Sequence, residues 1–329
     1  MHILVTGGTG YIGTHVIVQL IQAGHEVAAL DNLHNSTEHQ LQRAAKYLGR
    51  SIPLFIADTT DREELKCVLA PGRFDTVIHL AGRKLTGADC PFDLYDVNVR
   101  STLALLAAMR EAQVKNLLFS STAAVYCGNA PVTEQSPTVP QTPYGRSKLM
   151  CEQILQDELT TDPWFNLGIF RYFNVAGAHT GNVLGESPVE TPPGFITRAA
   201  SAIHRGKPVG IYGTDWNTRD GTCVRDYLHV MDLADAHVRA LEQLAHLQSF
   251  TLNLGSGSGS SVTDVLDAFD DIAPAQVTRY PRPRRGGDIA KSVADIELAE
   301  QLLGWRPTRG LHAICRDTYE WIKVAAPHY

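Results

Sequence analysis

Tyr144 and Lys148 stand four residues apart in "TPYGRSKLMCEQIL", a segment whose periodicity predicts a helix from about Gly145 to Glu158. Four residues make about one helical turn, so both side chains emerge on one face. A phenol titrates near ~10, too high for a base at neutral pH. An ammonium about 4 Å away, in a medium of effective dielectric ~20, contributes about 4 kcal/mol, or roughly three pKa units. The spacing therefore predicts a phenol that ionises near neutrality and takes a proton from an alcohol. Thr122, at the polar end of the apolar strand "LLFSSTAAVYCG" (117–128), offers a hydroxyl to share or relay that proton. Ala123 and Ala124 follow it, where a site built for further acid–base work could hold carboxylates. A base, a cation and a hydroxyl suit reversible oxidation of a secondary alcohol and little else.

That oxidation needs an acceptor, and "VTGGTGYIG" provides a place for one. Gly7, Gly10 and Gly13 follow the first strand and open a helix. Glycine lets the backbone turn sharply, lets a pyrophosphate come close and lets helix pack on strand. The helix N-terminus adds free N–H groups and a positive dipole end. Asp31 ends the second strand about 20 residues on, where a carboxylate accepts from an adenosine ribose. An acid there repels a 2′-phosphate, so NAD is favoured over NADP.

The elements that must position these groups alternate along the first half. Strands "HILVTGG", "EVAALD", "PLFIAD", "FDTVIHLAG", "KNLLFSS" and "FNLGIFRYFNV" are separated by segments of helical periodicity. Apolar strands between amphipathic helices imply an α/β fold, a doubly wound parallel sheet of Rossmann type covered on both faces. Residues 1–175 are expected to form this NAD-binding domain. Residues 176–195 are rich in Gly and Pro and lead into a smaller substrate-binding lobe, mainly 176–329, with about 223–255 expected to return to the main sheet. "GSGSGSS" (255–261) looks like a flexible linker by composition. It reads better as a tight strand-to-helix loop in which Ser261 and Asp264 cap a helix.

Composition narrows the partners. The chain has 329 residues, 44% hydrophobic, with a formal charge of −6 and no block of Lys or Arg. Nucleic acid and anionic membrane are therefore poor guesses. No apolar run approaches the ~20 residues of a membrane span, and no signal-peptide pattern precedes the first strand. Six scattered cysteines without a C-x-x-C fit a reduced, cytoplasmic protein. A metal site has little support: His34 and His39 lie in a polar loop, and no i, i+4 histidine pair joins a carboxylate cluster.

Beyond this reading, the chain resembles the extended short-chain dehydrogenase/reductase family, and within it the branch of UDP-hexose 4-epimerases. The similarity runs almost end to end, through "VTGGTGYIG", "LDN", "VIHLAGRK", "QVKNLLFSSTAAVY", "PYGRSKLMCEQIL", "RYFNVAGAH", "GTCVRDYLHVMDLADAH", "LNLGSG" and "RRGGD". The resemblance implies tightly bound NAD and a nucleotide-sugar substrate, UDP-glucose or UDP-galactose, inverted at C4 through a transient 4-keto form. It assigns NAD contacts to Tyr11, Ile12, Asp31, Asn32, Asn35, Ser36, Asp58, Thr59, Leu80, Ala81, Gly82, Lys84, Asn98, Tyr144, Lys148 and Phe173. It assigns the sugar nucleotide to Lys84, Thr122, Tyr144, Asn174, Tyr212, Arg225, Arg285 and Asp288. Two arginines suit a diphosphate, which they can grip bidentately. Asp288 suits a ribose diol. A homodimer through helices near 97–112 and 145–158 is a further expectation.

The family also explains why Ala123 and Ala124 matter. Dehydratases carry an Asp–Glu pair at this strand end, and decarboxylases of UDP-glucuronate place a Glu nearby. A 3,5-epimerase needs an acid–base pair reaching both ring faces, often with a Cys on this strand. Cys127 lies past the strand end and reads as a packing residue.

Two departures concern specificity. In "GNVLGESPVETPPGFITRAAS", Pro192, Pro193, Gly194, Phe195 and Ile196 replace the family's Asn or His, apolar pair and proline. Ser292 in "GDIAKSVAD" stands where the glucose-specific bacterial enzyme has a bulky tyrosine, leaving room for a 2-acetamido group. Alternative readings are a 4-epimerase of another nucleotide sugar (UDP-GlcNAc, a UDP-uronic acid, or a GDP-, dTDP- or CDP-sugar) and a non-catalytic NAD sensor. Sensors of that kind typically lose the Tyr–Lys pair, which this chain retains.

Overall fold

The computed structural model describes residues 1–84, 90–128, 130–161, 165–187, 194–247 and 249–325. The elements run β1 (His2–Thr6), α1 (Tyr11–Gln22), β2 (Glu26–Asp31), α2 (Glu38–Leu48), β3 (Leu54–Ile56), α3 (Arg62–Leu69) and β4 (Thr76–His79). They continue with α4 (Pro91–Ala112), β5 (Asn116–Thr122), α5 (Pro143–Thr161), β6 (Asn166–Tyr172), β7 (Asn174–Ala176), α6 (Phe195–His204) and β8 (Val209–Tyr212). Then follow β9 (Val224–His229), α7 (Val230–Leu247), β10 (Ser249–Leu254), β11 (Gly259–Ser261) and α8 (Val262–Asp270). The chain ends with β12 (Arg279–Arg282), β13 (Lys291–Ser292), α9 (Glu297–Leu303) and α10 (Leu311–Ala325).

Seven strands form one sheet in the order β10-β6-β5-β4-β1-β2-β3. The pairs β3–β2, β2–β1, β1–β4 and β4–β5 are parallel. Ile3, Leu4 and Val5 are wholly buried on consecutive positions. A continuous apolar strand is what a sheet covered on both faces selects, and each such side chain contributes roughly 1.5–3 kcal/mol when withdrawn from water. Strand order runs outward to β2 and β3 on one side of β1 and to β5 and β6 on the other side of β4. The ends of β1 and β4 therefore flank the point where the order reverses, the place where open α/β sheets bind ligands.

The chain divides into two compact units. Unit 1 comprises 1–127, 138–171 and 234–252; unit 2 comprises 128–137, 172–233 and 253–329. Unit 2 holds a small sheet of β11, β9 and β13, with β7 also paired to β9, and a β8–β12 pair. The return to the large sheet is thus narrower than 223–255. β9 stays in the small sheet, whose strand "VRDYLH" carries Arg225 and Asp226 and lacks the continuous apolar run of a central parallel strand. Residues 128–137 also join unit 2. There Val132 N–H donates to the Val293 carbonyl at 3.0 Å and Asp295 N–H to the Val132 carbonyl at 2.8 Å. The Gly-Ser stretch is ordered as a strand and a helix cap. The Ser261 hydroxyl accepts from Asp264 N–H at 3.0 Å, and the Asp264 carboxylate accepts from Ser261 N–H at 2.9 Å.

Candidate functional site

The glycine loop closes on the strand-order reversal. Gly7 has φ +68°, and a Cβ built there would lie 2.8 Å from Ala81 N, in the loop after β4. At Gly13 a Cβ would lie 2.2 Å from the Gly7 carbonyl oxygen. Thr6 and His79 are paired in register at the strand ends. Their side chains meet at 2.7 Å, and Thr6 also accepts from Ala81 N–H at 3.2 Å. Burial, and then the Lys148 charge, hold His79 down at about 3, so its ring is neutral. Gly10 caps α1 without a side-chain hydrogen bond, and the first turn, which contains Tyr11 and Ile12, has no acid. An uncapped helix start beside three small residues is a cradle that fits a pyrophosphate.

Asp31 is buried and already engaged. It accepts from Thr9 N–H at 3.2 Å, Leu33 N–H at 3.0 Å and the Ser36 hydroxyl at 3.1 Å. A carboxylate has about four acceptor positions, so capacity remains for a ribose hydroxyl. Ser36 also meets the Thr9 hydroxyl at 2.6 Å. Asn32 donates to Asp58 at 2.9 Å. Burial opposes ionisation of Asp58, but hydrogen bonds from Thr60 and Asn32 outweigh it and hold the carboxyl low. Thr59 is buried, Asn35 exposed.

Asn98 is buried and already engaged with protein partners. Its Oδ1 accepts from Arg83 N–H at 2.7 Å, and its Nδ2 donates to the Arg83 carbonyl at 3.0 Å and to Ser147 Oγ at 2.9 Å. Ser147 in turn donates to the Tyr144 carbonyl at 2.9 Å. The carboxamide ties the Arg83 backbone to Ser147 in the first turn of α5, with one acceptor position of Oδ1 left over, and Lys84 itself is exposed.

Tyr144, Lys148 and Thr122 come together in unit 1. Gly145 lets α5 approach the strand end, since a Cβ there would lie 2.2 Å from the Ala124 carbonyl oxygen. The Tyr144 phenol is hydrogen-bonded to Thr122. Thr122 also accepts from Ala124 N–H at 3.2 Å, capping the short turn Ala123–Val125. Buried Lys148 donates to the Ser120 carbonyl at 2.8 Å, with its ammonium 4.7 Å from the Phe119 ring centre. Without the cofactor the expected acidification by Lys148 is absent. Burial pushes the Tyr144 phenol up to about 12, against a downward pull from Thr122, and Lys148 is not among the groups that shift it. Although part of the Tyr144 side chain is exposed, dense protein around its hydroxyl disfavours phenolate in the ligand-free protein.

The remaining candidates belong to unit 2. Phe173 is buried, and its N–H donates to the Leu254 carbonyl at 3.0 Å. Asn174 is exposed on β7. Asp288 bridges both arginines, 3.1 Å from Arg285 and 3.6 Å from Arg225. Arg225 also donates to the Ile289 carbonyl at 2.7 Å, and Arg285 lies 4.7 Å from the Tyr212 ring centre. Ser292 on β13 is in register with Arg225 on β9. Pro192 and Pro193 lie outside the described residues. Gly194 caps α6, which begins at Phe195 and buries Ile196. Arg198 on α6, which the sequence did not single out, has its guanidinium destabilised by burial and then by Arg285. Its only signal was an arginine within an otherwise apolar helix face. Among the described residues no group of three metal-ligating side chains is assembled.

A strand-order reversal under a glycine loop, with a Tyr-x-x-x-Lys helix beside it, defines a dinucleotide-binding protein of the short-chain dehydrogenase class. Residues 3–255 match the model of the NAD dependent epimerase/dehydratase family, and the chain belongs to that family. It is 44% identical over 328 residues to the UDP-glucose 4-epimerase of Erwinia amylovora, covering 98% of this chain and 97% of that one. A UDP-glucose 4-epimerase structure from Stenotrophomonas maltophila, with bound NAD and formylated UDP-arabinopyranose, superposes with a TM-score of 0.96 at 40% identity over all of both chains. The Bifidobacterium longum enzyme, in complex with NAD+ and UDP, gives a TM-score of 0.95 at 38% identity over all of both chains.

Proposed function

We propose that the protein is an NAD-dependent UDP-hexose 4-epimerase acting on UDP-glucose and UDP-galactose. The observation that carries this is the Tyr144–Thr122 hydrogen bond beside Lys148, with Ala123 and Ala124 next along the chain. That set moves the proton of one hydroxyl and has no carboxylate at those two positions for expelling a second. When bound, NAD supplies a reversible two-electron acceptor for the C4 hydrogen and a positive ring that favours phenolate. Tyr144 takes the 4-hydroxyl proton and Thr122 holds the same oxygen. Lys148 supplies the buried positive charge. Arg225 and Arg285, drawn together by Asp288, suit a diphosphate, and the flat 4-ketopyranose turns to present its other face. Tyr144 then returns the proton and configuration at C4 is inverted.

Gly7, Gly10, Tyr11, Ile12, Gly13, Asp31 and Ser36 line the cofactor cradle, with Asn98 shaping it through Arg83. Ser292, in register with Arg225, supports a wider sugar range that includes N-acetylated hexoses. A homodimer is proposed through α4 and α5, where Phe92, Leu103 and Met150 are exposed. Cys67, Cys90 and Cys127 are exposed free thiols, which supports a reducing, cytoplasmic setting. Among the described residues no helix is long and apolar enough to cross a membrane.

The test is incubation of the purified protein, without added NAD, with UDP-, GDP-, dTDP- and CDP-sugars, followed by NMR. Formation of the 4-epimer of UDP-glucose or UDP-galactose is expected. Oxidised sugar accumulating with stoichiometric free NADH, or deuterium at C4 exchanging with water, would refute the reading.

A further inference from the structure

Three consecutive residues at the end of β5 are each bonded to α5, and their helical partners lie one turn apart. Ser120 accepts from Lys148 at 2.8 Å, Ser121 donates its hydroxyl to Glu152, and Thr122 is bonded to the Tyr144 phenol. Tyr144, Lys148 and Glu152 thus form one row at i, i+4 and i+8. The mechanism uses the first two and leaves the third without a role. Glu152 and its partner Arg171 on β6 are buried, with side chains 1% and 7% exposed. Arg171 donates to Glu152 through Nη2 at 2.6 Å and Nε at 3.1 Å, and through Nη1 to the Tyr126 hydroxyl at 2.8 Å. The pair therefore holds the chain on both sides of Thr122, at Ser121 before it and Tyr126 after it.

We propose that Glu152, anchored by Arg171, is a positioning residue that locks the Thr122 strand end to the Tyr144 helix turn and so sets the surroundings of Lys148. The inference rests on the reading of Tyr144, Thr122 and Lys148 as the alcohol-oxidising set. A buried ion pair is weak evidence for stability, since apolar replacements often serve as well, so its placement here calls for another reason. Lys148 is enclosed, and burial works against its charge; Cys151 and Glu152 work in the other direction. The groups acting on it are neutral His79 from β4, the Phe119 ring and Ser120 carbonyl from β5, and Cys151 and Glu152 from α5. Burial pushes the Cys151 thiol up, so it stays protonated. The negative charge in this group is the Glu152 carboxylate.

The test uses NAD-loaded enzyme with kcat and KM for UDP-glucose measured against pH. Wild type is compared with Glu152→Asp, Glu152→Gln and the double variant Glu152→Gln/Arg171→Met, which buries no unpaired ion if the single variant fails to fold. Lys148 is titrated separately by NMR of 13C-labelled lysine, assigned with Lys148→Arg, which needs no turnover. Wild type failing to turn over UDP-glucose would sink the functional reading and leave the Lys148 titration to decide this one. Both Gln variants are expected to lose at least about tenfold in kcat with KM within about twofold. In Glu152→Gln, which leaves the Arg171 cation, the Lys148 midpoint and the alkaline limb of kcat should fall together by about one pH unit, and Glu152→Asp should restore them. A kcat that matches wild type in either Gln variant, or a Lys148 midpoint that matches wild type in Glu152→Gln, whatever the melting temperatures, would overturn the proposal.

Discussion

Lys148 donates to the Ser120 carbonyl at 2.8 Å, so a buried cation is tied to the backbone of the strand that ends in Thr122. Burial lowers the pKa of this amine. Lys148→Met removes the charge and leaves the Ser120 carbonyl without its donor. Turnover should fall by about a hundredfold or more, while the KM for the nucleotide sugar changes little. Steady-state kinetics against wild type checks this, with Lys148→Arg as the variant that keeps the charge.

The Tyr144 phenol stands at about 12 in the ligand-free protein. Phenolate absorbance, taken as the difference between wild type and Tyr144→Phe, should therefore show no Tyr144 ionisation near neutrality without NAD. Loading with NAD should bring that midpoint down. Tyr144→Phe should fold normally and lose turnover by about 10²–10⁴-fold. A midpoint that ignores the cofactor would contradict the role given to the phenol.

Gly13→Ala should abolish cofactor binding, because its Cβ would lie 2.2 Å from the Gly7 carbonyl oxygen and backbone must shift. Gly286→Ala is the control, since nothing lies within 4 Å of a Cβ there. Cofactor content of the purified variants, measured after denaturation, separates the two.

His79 makes stability depend on pH. Its folded pKa of about 3 lies below the unfolded value of 6.5. Between those values the unfolded chain binds the extra proton, so stability is full above about 6.5 and declines as pH falls. The slope approaches about 1.4 kcal/mol per pH unit for this one group. His79→Asn should flatten that slope in urea titrations from pH 7 to pH 4, even if it lowers stability throughout. Parallel curves for the two proteins would rule the histidine out.

Ser292→Tyr tests sugar breadth. A bulky side chain in register with Arg225 should suppress turnover of UDP-GlcNAc and leave UDP-glucose turnover within about threefold of wild type. Wild type that never turns over UDP-GlcNAc would remove the reason for the experiment.

Local features were legible in the residues themselves. The glycine loop, Asp31 at the strand end, the Tyr144–Lys148 turn and the Ser261–Asp264 cap all act within one turn or one strand–helix junction. Their spacing therefore states their geometry. Apolar strands alternating with amphipathic helices specified the doubly wound sheet for the same reason, since burial on two faces leaves a periodic trace.

What depended on partners remote in sequence came only from the tertiary structure. Spacing suggested that Lys148 would acidify Tyr144, whereas packing around the phenol makes desolvation dominate. Asn98 was singled out as a ligand contact, and only the fold shows that its carboxamide also joins Arg83 to Ser147, 15 and 49 residues away. Asp288 holds both arginines, and residues 128–137 join unit 2 through Val293 and Asp295. Glu152 is one polar residue among several on α5 until Arg171, 19 residues on, encloses it. Residue types and spacing decided which chemistry was available; the folded chain decided which charges are solvated, which polar atoms remain free, and therefore which groups can react.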